Sequence, residues 1–267
     1  KMVVRRIVKR KIEEDEEESQ KKKKKRAQEV LRETSGKVGG MVVIYIDDLL
    51  IVGEKEVKKM VIGEVKRIWE TSTPEEIDEK TGVRFLGMEL WKLKNGDWMA
   101  TQRGYVKEML RKNLGEDESE WRRKKTPITK SWIELPEEEK KEAGDVKEAQ
   151  RVVGEVMWVM TRTRPDLLHT TSMLASQILK KPKAVREAAD QLWAYLAHTW
   201  KEGLLFAARP EEHELRSYTD ASFGEDCQGC TIVALDGAPI AWKAGKQHAV
   251  ALSTAEAELT EILEGQI

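Results

Sequence analysis

The stretch VVIYIDDLLIVG, residues 42 to 53, constrains the fold more than any other part of the chain. Two adjacent aspartates interrupt a run that would otherwise be one buried apolar strand. Desolvating two unpaired carboxylates costs on the order of several kcal/mol, so Asp47 and Asp48 cannot sit inside a core. Split at that point, the run becomes two short apolar strands, VVIYI and LLIVG, around a two-residue polar point. This pattern predicts a β-hairpin with both aspartates at its tip. Aspartate suits such turns for local reasons, which makes a plain turn one reading. In the other, a rigid turn presents carboxylates to hard cations. Oxygen ligands suit Mg²⁺ or Mn²⁺, and two such ions about 3.5 to 4 Å apart can bracket a phosphoryl transfer.

The segment before the hairpin is dominated by like-charge blocks, EEDEEES at 13 to 19 and KKKKKR at 21 to 26. Such blocks predict a solvated helix or a disordered stretch over residues 1 to 40. The basic block also suits contact with nucleic acid or a nuclear address. After the hairpin, Val57, Met60, Val61, Val65, Ile68 and Trp69 recur at helical spacing over residues 55 to 70. FLGMELWKL at 85 to 93 has strand character, and Asn95-Gly96 is a hairpin signal leading into DWMATQ, giving a β-α-β-β order. A helix over Tyr105 to Lys112, a charged connection through TPITK and a mostly helical region over 137 to 202 follow, with Pro165 opening one helix. LRSYTDAS, CTIVAL and PIAWKAGKQ then read as three strands joined by short turns, Asp236-Gly237 among them. Ser253 and Glu256 form a capping box that starts a helix at about Thr254.

Forty-seven basic side chains against 48 acidic ones leave a net charge of -1, so any contact with a polyanion must be local. Cys227 and Cys230 are too few for a disulfide framework, and a single CxxC lacks the second pair a structural zinc site wants. The run at 42 to 52 is too short and too charged at its centre to cross a bilayer. The chain is therefore expected to be intracellular, cytoplasmic or nuclear, with no membrane partner.

Tyr45-Ile46-Asp47-Asp48 matches the YxDD box of reverse transcriptases, and the order of further matches resembles Ty1/copia-type retrotransposon Pol polyproteins. These are FLGMEL at 85 to 90, QRGYVKEML at 102 to 110, TPI at 126 to 128, TRPDLLH at 163 to 169, GLLF at 203 to 206, YTDAS at 218 to 222, GAPIAWKAGKQ at 237 to 247 and ALSTAEAEL at 251 to 259. The resemblance implies an α+β fold: a partial reverse-transcriptase palm over 41 to 115, a mostly helical connection over 116 to 202, and the N-terminal half of an RNase H-like α/β domain over 203 to 267. It implies metal-binding catalytic roles for Asp47 and Asp48, with Tyr45 shaping the site near the growing strand. Asp220 and Glu258 would be metal ligands of an RNase H site. The implied partners are an RNA template, a DNA primer, an RNA-DNA hybrid and deoxynucleotides.

The family's palm takes another aspartate from an upstream strand, and Asp15, inside an acidic run, does not supply it. An RNase H site takes further aspartates from after its first helix. Both metal sites are thus expected to be incomplete and to need other polyprotein segments. The alternative is a degenerate or repurposed remnant that binds nucleic acid or protein without catalysis.

Overall fold

The computed structural model describes residues 2–10, 38–129, 137, 142–208, 213–223, 227–247 and 250–265. The charge blocks at 13 to 26 lie outside the described residues. The chain divides into two compact units, Lys1–Leu93 and Lys94–Ile267.

In the first unit, strands β1 (Met2–Arg10), β2 (Gly40–Tyr45), β3 (Asp48–Gly53) and β4 (Trp69–Thr71) form an antiparallel sheet in the order β2-β3-β1-β4, and β5 (Glu75–Glu76) also pairs with β1. Met2–Arg10 therefore departs from the helical or disordered segment expected over residues 1 to 40. Val3, Val4, Ile7 and Val8 are β-branched, which favours a strand, and the pairing surface comes from residues more than forty positions downstream. Leu49, Leu50 and Ile51 are all buried, because β3 lies inside the sheet while helix α1 (Lys55–Ile68) packs on β3 and β4. The edge strand β2 leaves Met41, Val42, Ile44 and Tyr45 exposed.

FLGMELWKL is not one strand. It folds as a hairpin of β6 (Val83–Phe85) and β7 (Met88–Lys92), with Phe85 opposite Met88. Leu86 and Gly87 have φ of 55° and 76°, the positive values at both central positions that a type I′ turn requires. Phe85 is buried, in keeping with a packing role.

Among the described residues, the second unit contains the pair β8 (Trp98–Thr101) and β9 (Leu204–Phe206) and the helices α2 (Arg103–Leu114), α3 (Ala143–Met160), α4 (Leu168–Gln177) and α5 (Pro182–Thr199). Their apolar faces meet in one core that includes Leu110, Val152, Val156, Leu174, Leu192 and Leu196. A meander of β10 (Leu215–Ser222), β11 (Gln228–Leu235) and β12 (Ala238–Lys246) follows, and helix α6 (Thr254–Glu264) packs on β10 and β11. The opposite sheet face carries Cys230, Trp242 and Ala244 against the helical core. The Trp242 indole N–H donates to Met160 O at 2.9 Å, fixing the sheet to the end of α3. Among the described residues, no helix is long and apolar enough to cross a membrane.

Arg164, only 2% exposed, ties these helices together. Its guanidinium donates Nε and Nη2 to Asp166 Oδ1 and Oδ2 at 2.8 and 2.7 Å, and reaches Thr199 O and Oγ1 at 3.0 and 2.8 Å. The Tyr195 hydroxyl donates to Asp166 Oδ2 at 2.8 Å. TRPDLLH thus encodes a joint: α3 ends, Pro165 opens a short 3₁₀ turn, and Arg164 satisfies carbonyl and hydroxyl acceptors at the C-terminus of α5. Burial acts to raise the Asp166 carboxyl, but the hydrogen bonds and charge of Arg164 with the Tyr195 hydroxyl outweigh it and hold Asp166 below the usual carboxylate range. Burial, with Asp166, pushes the Tyr195 hydroxyl up to about 12.

Arg164→Ala is expected to destabilise the second unit by about 3 kcal/mol in urea unfolding, since it leaves buried acceptors unpaired. Because the folded value of Asp166 is depressed, its contribution is present above the unfolded carboxyl range and fades as pH falls through the folded value. Asp166→Asn should therefore flatten the acid limb of the stability profile, and an unchanged limb would refute this role.

Candidate functional site

The register Tyr45↔Asp48 makes Ile46 and Asp47 the two central residues of the β2-β3 turn. This corrects the expected placement by one residue: Asp47 is at the tip, while Asp48 opens β3 and is half-buried. Directly opposite each other, Tyr45 and Asp48 share one sheet face, and Asp47 projects from the turn. Ile46 takes φ of 50° while 77% exposed. A β-branched residue in this left-handed region is strained by about 1 to 2 kcal/mol, and no packing offsets it here. The tip is thus held in its conformation by the paired strands on either side.

Backbone pairing places Arg6 of β1 opposite Asp48, and the β1 sequence MVVRRIVKR contains no carboxylate. The strand flanking the hairpin therefore contributes no acidic partner for Asp47 and Asp48.

In the second unit, the register pairs Asp220 of β10 with Cys230 of β11. Side chains alternate along a strand, and Cys230 faces the helical core while the adjacent Thr231 donates its hydroxyl to Glu261 Oε1 on α6 at 2.6 Å. Asp220 consequently leaves the sheet on the Cys230 side and is exposed, whereas Ala221 packs with Ala257 of α6. Glu258, next to Ala257 on α6, is half-buried. Asp220 thus lies on the helical-core face of the meander, while Glu258 is carried by the helix packed on the opposite face. Half of the capping box is as the sequence indicates, Ser253 Oγ accepting from Glu256 N at 3.2 Å, while Glu256 Oε2 reaches one residue past the N-cap and accepts from Leu252 N at 2.6 Å. This leaves Glu256 committed to the helix start and Glu258 unencumbered by it.

Sequence reasoning missed Glu261. It is 2% exposed, lies against the Gly229 backbone, and is held by Thr231 and by Gln247 Nε2 at 3.5 Å. Its position one turn beyond Ala257 on the buried face of α6 is the only signal the sequence carried. Burial pushes the Cys230 thiol up, with the Glu261 and Asp220 carboxylates adding to the effect. Cys227 and Cys230 are free thiols, and a raised thiol is a poor nucleophile and metal ligand.

Divalent-ion chemistry needs several converging oxygen ligands. Among the described residues, no group of three or more His, Cys, Asp or Glu side chains could hold a metal ion.

No family model matches the chain. Its similarity lies with transposon proteins and retrotransposon Pol polyproteins. It is 26% identical to the transposon Ty5-1 protein of Saccharomyces cerevisiae over 217 residues, which is 78% of this chain and 67% of that protein. It is also 26% identical over 233 residues to the retrovirus-related Pol polyprotein from transposon TNT 1-94 of Nicotiana tabacum, covering 82% of this chain but 17% of the polyprotein. A shorter match, 32% over 118 residues, reaches the secreted RxLR effector protein 161 of Plasmopara viticola, covering 42% of this chain and 82% of that protein. The chain is of retrotransposon Pol-related origin. These similarities support a relation to part of a Ty/copia-type Pol polyprotein.

Two substitutions test the local geometry. Ile46→Asn is expected to stabilise the first unit by about 0.5 to 1 kcal/mol, read as a raised midpoint of thermal unfolding, because asparagine tolerates positive φ. A lowered midpoint would show that the turn is not strained. Gly229→Ala drives a methyl group into the Glu261 carboxylate and should cost about 1 to 3 kcal/mol. Adding Glu261→Ala should recover part of that loss in a double-mutant cycle, and strict additivity would refute the contact.

Proposed function

We propose that this chain is a segment of the reverse transcriptase and RNase H region of its parent polyprotein, and that it carries two partial acidic sites. Asp47 and Asp48, with Tyr45 on the same hairpin, belong to the site for RNA-directed DNA synthesis. Asp220 and Glu258 belong to the site for hydrolysing the RNA strand of a hybrid. The substrates of the parent are an RNA template, a DNA primer, the RNA-DNA hybrid and deoxynucleotides, and its cofactor is Mg²⁺ or Mn²⁺. The setting is intracellular, cytoplasmic or nuclear.

The observation that carries this reading is the Tyr45↔Asp48 register, which holds two adjacent carboxylates at the end of a paired β-ribbon. A rigid ribbon is the kind of support that metal-dependent phosphoryl transfer needs, since such catalysis rests on positioning and charge. The Pol-related ancestry supports the substrate class. The carboxylates do not close a site by themselves, so other segments of the polyprotein supply the missing ligands, and the isolated chain turns over slowly or not at all.

Primer extension on a primed RNA template with Mg²⁺ tests both halves of this proposal. The chain alone should give no extension above background. Adding the neighbouring polyprotein segments should restore synthesis, and Asp47→Asn should abolish it by at least a hundredfold. Restored synthesis that is indifferent to Asp47→Asn would overturn the assignment. Persistent inactivity with all segments present would favour the remnant that binds without catalysis.

A further inference from the structure

The connection between α2 and α3 carries four consecutive cations, Arg122, Arg123, Lys124 and Lys125, in a second unit where 29 acidic side chains outnumber 25 basic ones. All four are exposed, and among the described residues none makes an ion pair or side-chain hydrogen bond. Acidic neighbours could have neutralised them, since GEDESE immediately precedes the run. Three of those four acids are engaged elsewhere. Glu118 pairs with Lys107 at 3.0 Å and Arg111 at 2.9 Å, Glu116 lies 3.9 Å from Arg111, and Asp117 accepts from Ser119 N and Oγ at 2.8 and 2.7 Å. Among the described residues, Glu120 has no such partner.

The cations are also held in place. Trp121, just before them, is buried in the helical core, and its indole N–H donates to Gly115 O at 2.8 Å. Lys124 N donates to Ala194 O on α5 at 3.0 Å, and Gln191 Nε2 donates to Thr126 O at 2.9 Å. An ordinary solvated charge run does not have its backbone fastened on both sides. Here the fastening keeps four like charges together despite their mutual repulsion, and a polyanion would relieve that repulsion.

We infer that Arg122 to Lys125 form a fixed cationic ridge that grips the phosphate backbone of an RNA-DNA hybrid without metal. The inference rests on the proposed nucleic-acid function for the choice of polyanion. Two guanidinium forks followed by two ammonium groups suit phosphate oxygens, the forks engaging them in pairs and the lysines acting as point charges. The contact is with backbone, so it confers affinity and register rather than sequence preference.

The test is fluorescence anisotropy of the full chain with a labelled 20-base-pair RNA-DNA hybrid in EDTA, across a salt series. Replacing all four residues with glutamine should weaken binding at least tenfold at low salt. It should also make the slope of log K against log[salt] shallower by about 3 to 4, the value for counterions released from four neutralised phosphates. Arg122→Lys with Arg123→Lys should retain most of the slope. Because the four side chains are exposed, an unchanged unfolding midpoint checks that the fold is intact. An unchanged slope in the glutamine variant would overturn the ridge. So would polyglutamate competing charge for charge with the hybrid, which would instead mark an acidic-protein site. Failure of primer extension, with hybrid binding and its salt slope still dependent on the four cations, would defeat the catalytic reading and spare this one.

Discussion

The second unit depends on one buried guanidinium. Arg164 lies where α3 stops, where the chain turns through Pro165, and where the last turn of α5 presents Thr199. Each of its polar contacts replaces water that the core excludes, so the three elements are locked in one geometry rather than merely pressed together. The consequence extends outward. The final residue of α3, Met160, accepts the Trp242 indole hydrogen bond, so the meander bearing Asp220 is hung from a helix whose end Arg164 fixes. The position of a candidate acidic site thus rests on a charge pair elsewhere in the unit.

Features specified by near neighbours were legible in the sequence. The Ser253 and Glu256 box needs only four residues, and Asp236-Gly237 needs two, which here both take positive φ. The β2-β3 hairpin was legible in kind but not in register. VVIYI and LLIVG are equally apolar on both sides, so pattern alone cannot tell whether the turn centres on Asp47-Asp48 or Ile46-Asp47. Pairing chose the second, although it strains an isoleucine. Other features depend on partners remote in sequence. Met2–Arg10 is a strand because β3 and β4 offer it edges, and Arg164 acquires its role only from Tyr195 and Thr199. Glu261 and the Arg122 to Lys125 ridge were hidden for a related reason. A whole-chain charge of -1 conceals a local excess, and only contacts reveal which acids are already engaged.

The two acidic pairs illustrate how a scaffold and its chemistry can separate. A β-ribbon can hold Asp47 and Asp48 firmly even though the strand beside it carries arginine and valine in place of an acid. The meander and α6 likewise pack around Ala221, Ala257 and Glu261 without any help from Asp220 or Glu258. Packing and hydrogen bonding account for each unit's stability, while the carboxylates assigned to chemistry are peripheral to it. Loss of activity in such a segment need not carry any penalty in folding.

The edge strand β2 has a practical consequence. Among the described residues it ends the sheet with a row of backbone donors and acceptors that no other strand pairs, beside exposed Met41, Val42, Ile44 and Tyr45. A flat apolar edge of that kind is a template for strand addition, so a preparation of this chain should gain β-rich aggregates as its concentration rises. A lysine at position 44 would act as a gatekeeper, keeping the same hairpin while making the edge repel its copies.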